Sequence, residues 1–96
     1  MSVAYSRRAV ADLRGIAAYY AGSDNPAVGE QVAARIRAVI ARVERLPRSG
    51  RPVGQRPRVR VAPLLRYPYL VFYEPKGDGV RILHIRHSAR RPWSGD

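Results

Sequence analysis

The sequence predicts an α+β domain: a helical hairpin comes first and packs across one face of a small antiparallel sheet of three or four strands. Three features predict it. Apolar residues recur twice at three- and four-residue steps in the first half of the chain, and after residue 56 the pattern switches to alternation. A proline- and glycine-rich turn then separates two aromatic and β-branched runs near the end. With 96 residues and no repeat, the chain reads as one domain over 1–96, because compact domains rarely divide below about 100 residues.

Residues 2–5 are short and extended in character, and Ser6 is placed to cap a helix that starts at Arg7. Val10, Leu13, Ile16, Ala17 and Tyr20 fall on one face of that helix, with Asp12 and Arg14 off it, and it ends near Gly22. A second start signal follows at once. Asn25 stands as the expected N-cap, Pro26 takes the first helical position and Glu30 lies near the positive end of the dipole. Val28, Val32, Ile36, Val39, Ile40, Val43 and Leu46 form a long apolar stripe that Pro47 closes. So short a connection packs the two helices as a hairpin.

From Pro47 to Pro57 the chain reads PRSGRPVGQRP, which is too polar and too interrupted for regular structure and is expected to be a loop. Beyond it, Arg56, Arg58 and Arg60 alternate with Val59 and Val61 across a strand, and Pro63 breaks the run. Tyr67 to Tyr73 and Val80 to His87 are the next two strands. Pro75-Lys76-Gly77-Asp78-Gly79 joins them as a hairpin turn, with the Asp-Gly pair expected to supply positive φ. A sheet covered by helices on one side leaves its other side open. Function is expected on that open side.

The balance of charge narrows the partners. Eighteen Lys plus Arg against seven Asp plus Glu give a formal charge of +11, a field that favours nucleic acid, an acidic protein or an anionic surface. Seventeen of the 18 are arginine, so a genome-wide bias toward Arg is the alternative account of the count. Without cysteine there is no disulfide, thiolate catalysis or sulfur-ligated metal. Two histidines and scattered carboxylates add no metal-ligand cluster, so no metal and no cofactor are expected. Neither a signal peptide nor an 18-residue apolar run is present, so the expected location is the cytoplasm, with no membrane partner. A chain this short hides only roughly 60–65% of its unfolded surface, which leaves room for a stabilising partner.

From Arg45 to Tyr73 there are seven arginines and no acid. The guanidiniums of Arg56, Arg58 and Arg60, spaced about 7 Å apart on one strand face, can clamp phosphates or carboxylates. Charge on an edge strand also blocks edge-to-edge pairing, a role compatible with binding. His84 and His87, three apart on the last strand, must point to opposite faces. His84 is expected beside Val80 and Ile82 in a core or partner-facing position, and His87 beside Arg81 in a polar site. Tyr67, Tyr69 and Tyr73 share a face that can stack on bases or simply fill the core. Glu74 and Asp78 read as solvent-facing. RNA cleavage without metal needs a base, an acid and a cation at one phosphate. The candidates for base and acid are His87, the strand tyrosines and Lys76.

Three segments carry a resemblance. Ser6-Arg7-Arg8-Ala9-Val10-Ala11-Asp12-Leu13-Arg14-Gly15-Ile16 with Tyr19-Tyr20, Arg45-Leu46-Pro47 through Ser49-Gly50-Arg51-Pro52, and Leu65 to Tyr73 with VRILHIRHSAR from Val80 to Arg90 together resemble the RelE/ParE superfamily of toxins from bacterial type II toxin–antitoxin modules. The resemblance implies a toxin neutralised by an acidic antitoxin. Its activity is then either inhibition of DNA gyrase, as in the ParE-like branch, or cleavage of messenger RNA on the ribosome, as in the RelE-like branch. For a nuclease, Arg60, Arg66, Arg81 and His87 match the catalytic roles; as a partner-binding surface the set widens to Arg56, Arg58, Arg60, Arg66, Arg81, Arg86, His87 and Arg90. No tyrosine follows Tyr73, and Lys76 is the one lysine, so the ParE-like branch is favoured. A plain nucleic-acid binder would follow from charge alone and would lose affinity steeply with salt.

Overall fold

The computed structural model describes residues 2–89 and orders them β1 (Val3–Tyr5), α1 (Arg7–Ala21), α2 (Pro26–Arg45), β2 (Arg51–Val53), β3 (Arg56–Pro63), β4 (Tyr69–Lys76) and β5 (Gly79–His87). One five-stranded sheet runs in the order β1-β5-β4-β3-β2. The α+β class with its helices first is observed, but the sheet is larger than the expected three or four antiparallel strands, and it is mixed. β1 pairs in parallel with β5, Val3 opposite Val80, whereas the other pairings are antiparallel. The 47–57 segment is likewise not all loop. Arg51–Val53 form the edge strand β2, where Pro52 is tolerated because no further strand needs its missing N–H.

Helix α1 starts where the sequence places it, with the Ser6 hydroxyl accepting from the Ala9 N–H at 2.9 Å. At α2 the expected side-chain cap is absent: Asn25 makes no capping bond, and its carbonyl accepts from Val28 N–H instead. The stripe of α2 buries Val32, Ile36, Val39, Ile40 and Val43, whereas Leu46 at the C-cap is exposed. These residues meet Ala62, Val71, Tyr73, Val80, Ile82 and Ile85 from the sheet to form the main core. The tyrosines of β4 belong to it: Tyr69 and Tyr73 are buried, and Tyr67 packs against the same cluster.

The reverse face of the sheet is not an open polar surface. Val59, Val61, Phe72 and Leu83 form a second, smaller buried cluster there, with Val53 and Leu70 beside it. The alternation in β3 is real, but it is the valines that face away from the helices. Ala62, two residues after Arg60, lies in the main core, so Arg60 is on the helix side.

At the β4–β5 turn the positive φ belongs to Gly77, at 60°, and not to the Asp78-Gly79 pair. Gly79 is needed for a different reason. Its backbone lies against β1, and a Cβ there would come 2.0 Å from the Ser2 carbonyl oxygen. Among the described residues no helix is long and apolar enough to cross a membrane.

Candidate functional site

Two structured regions carry the polar chemistry, one on each side of the sheet. On the helix side, Arg60 of β3 sits directly across from Tyr73 of β4. Both reach the segment that leaves α2. Arg60 Nη1 donates to the carbonyls of Gly50 at 2.7 Å and Arg48 at 3.1 Å. The Tyr73 hydroxyl accepts from Gly50 N–H and donates to the Pro47 carbonyl, each at 2.8 Å. An arginine and a buried phenol thereby fix a loop that lacks helical or sheet bonds of its own and satisfy the backbone of its buried residue, Gly50.

On the other face, β5 carries a register shift opposite Phe72 and Tyr73: Phe72 pairs with His84, and Tyr73 with Ile82. The extra residue, Leu83, reverses the side of everything after it. His84 therefore does not join Val80 and Ile82. It stacks on Phe72, with centroids 5.9 Å apart and planes at 19°, while the Arg86 guanidinium lies 5.6 Å from the same ring. His84 is 4% exposed, and its Nδ1–H donates to Asp12 Oδ2 at 2.6 Å. That oxygen also accepts the Ile85 N–H at 2.9 Å. Just upstream, Ser6 N–H donates to the Ile82 carbonyl and the Ser6 hydroxyl to the Leu83 carbonyl. The start of α1 thus takes over the edge of β5 where β1 ends.

The expected site residues are spread across this frame. Arg81 and Arg86 share the face away from the helices, Arg81 lying 3.9 Å from Glu74 across the strands. Glu74 is thus half-buried in an ion pair and not simply solvent-facing. His87 is on the helix side, edge-on to Tyr69 at 5.4 Å, and its Nδ1 accepts from Ala89 N–H. His84 and His87 do point to opposite faces, but the bulge also separates His87 from Arg81. Arg56 is half-buried and Arg58 exposed at the start of β3. Arg66 lies on the exposed β3–β4 loop at φ 74°. Arg90 falls outside the described residues.

Arg60, Arg81 and His87 are therefore not gathered around one point. Asp12, off the apolar face of α1, is a functional residue that no pattern in the sequence marks. The sequence offers Asp12 only an i,i+4 partner in Arg8; its half-burial and its place beside β5 exist only in the assembled fold. Among the described residues no group of three or more His, Cys, Asp or Glu is placed to hold a metal ion.

Comparison with known proteins places the chain. The family described as the ParE toxin of the type II toxin–antitoxin system, parDE, matches residues 3–92. Among solved structures, a chain from the chromosomal ParDE TA system of P. aeruginosa is 28% identical and superposes with a TM-score of 0.75, covering 91% of this chain and 95% of that one. No curated protein matches. The match spans both helices and all five strands, and the chain belongs to the ParE toxin family of type II toxin–antitoxin systems.

Proposed function

We propose that this toxin acts in the cytoplasm by inhibiting DNA gyrase and that an acidic antitoxin neutralises it by folding over its basic surface. The observation that carries the reading is the dispersal of the nuclease candidates. Arg60 is occupied with the carbonyls of Arg48 and Gly50, Arg81 faces Glu74 on the opposite side of the sheet, and His87 packs on Tyr69. Cleavage at one phosphate needs base, acid and cation within reach of the same atoms. A dispersed basic surface is suited to binding. The charge of +11 supports an acidic partner that orders on association.

Induced expression in bacteria tests this reading. The expected outcome is loss of colony formation that co-expression of the neighbouring antitoxin relieves, with messenger RNA left intact in a translating extract by primer extension. Codon-phased cuts that require the ribosome would overturn gyrase inhibition in favour of the RelE-like activity.

A further inference from the structure

A concavity of about 270 Å³ opens where the edge strand β2 stops, and none of the expected partner-binding residues lines it. β2 begins at Arg51 opposite Val61, so Ala62 and Pro63 of β3 run on past its end. Those residues, with Val61 and Leu70, make an apolar floor; Arg42 of α2, Ser49, Gly50 and Arg51 make the rim. No carboxylate lines it. Among the described residues the guanidiniums of Arg42 and Arg51 make no hydrogen bond or ion pair, unlike Arg60, Arg81 and Arg86. Both side chains are exposed and stand beside the same hollow, free to take an anion.

The rim is also fixed in advance. Arg60 and Tyr73 hold the 47–50 segment by four hydrogen bonds, to Pro47, Arg48 and Gly50. A partner that enters the hollow does not have to order this wall, which lowers the entropic cost of binding.

We propose that this hollow is the anchor site for an acidic side chain of a protein segment whose neighbouring residue is aliphatic or aromatic. The carboxylate is taken by Arg42 and Arg51, with the Ser49 hydroxyl as a further donor, and the apolar neighbour covers the exposed Pro63 and the half-buried Leu70. Such a ligand matches both halves of the site. A phosphodiester would satisfy the arginines and leave the floor against sugar and water. Resting on the toxin–antitoxin reading above, the inference assigns the hollow to the antitoxin, whose acidity complements a toxin of charge +11.

The test is the affinity of purified antitoxin for toxin variants whose folding is checked by thermal melts. The double variant R42A/R51A is expected to bind at least about tenfold more weakly, the loss typical of a removed charged anchor. R7A/R14A removes the same charge from exposed positions on α1 and should lose less than about threefold at physiological salt. S49W fills the hollow at constant charge and is expected to match R42A/R51A. Equal losses in R42A/R51A and R7A/R14A, or normal affinity of S49W, would overturn the site. So would a short DNA or RNA oligonucleotide that wild type binds and R42A/R51A releases while antitoxin affinity stays unchanged. Failure of the wild-type chain to bind antitoxin would instead overturn the toxin–antitoxin reading itself, and the site with it.

Discussion

His84 and Asp12, 72 residues apart, are joined by a 2.6 Å hydrogen bond that ties the first helix to the last strand. The same carboxylate oxygen accepts Ile85 N–H, so one side chain serves both an imidazole and a backbone donor released by the bulge at Leu83. Removing it leaves two buried donors without an acceptor. Asp12→Ala is expected to destabilise the fold by about 2–3 kcal/mol, read as a lowered midpoint in urea. Arg8, 3.5 Å from Asp12 but half-exposed, contributes little, and Arg8→Ala should cost about 0.5 kcal/mol or less. Equal losses from the two variants would contradict this division.

Tyr73 performs the corresponding task on the helix side. Its hydroxyl bridges Gly50 and Pro47 inside the core, so Tyr73→Phe keeps the ring and its packing but strands a buried N–H and carbonyl. A loss of about 1–3 kcal/mol is expected, and the Gly50 amide should lose protection from hydrogen exchange before the amides of β4 do. Unaltered exchange at Gly50 would show that the loop is held by other means.

Gly79 tests the parallel pairing of β1. A Cβ at this position meets the Ser2 carbonyl at 2.0 Å, and Val80 N–H donates to that same oxygen at 3.0 Å. Gly79→Ala is expected to push β1 off β5 at a cost of about 1–3 kcal/mol, with Val80 becoming fast-exchanging while β3 and β4 stay protected. A variant as stable as wild type would mean that β1 does not lie against the turn.

The opposite sign is expected at Arg66. Its φ of 74° is one that glycine holds without steric cost, and no hydrogen bond or ion pair among the described residues holds its side chain. Arg66→Gly should leave stability unchanged or raise it by up to about 1 kcal/mol, an increase of up to about 4–8 °C in melting temperature for a domain of this size. Arg58→Gly, exposed within β3, should lower it by about 0.5–1 kcal/mol. A fall in stability for both would show that the Arg66 side chain supports the loop.

These residues also show what could be read in advance. Both helices were legible, because Ser6, Pro26 and the stripe from Val32 to Val43 are local signals acting within a few residues. β4 and β5 were legible from composition and from the turn between them. β1 was not recognisable as a sheet member: its partner lies 77 residues on, and three residues hold too little alternation to read. β2 was hidden by Pro52, which counts against a strand everywhere except at an edge. The site suffered more. One inserted residue, Leu83, reversed the sides assigned to His84 and His87 relative to Arg81, and no local pattern announces such a bulge. Arg60 and the pairing of Asp12 with His84 depend on contacts that only the assembled fold creates.

Gyrase inhibition is tested by DNA gyrase supercoiling of relaxed plasmid in the presence of the purified chain, with and without its antitoxin. Supercoiling is expected to fall as the chain is added and to recover at stoichiometric antitoxin, with Arg81→Ala and His87→Ala still inhibitory. Undiminished supercoiling at chain concentrations that arrest growth, together with ribosome-dependent cuts in messenger RNA abolished by His87→Ala, would contradict it.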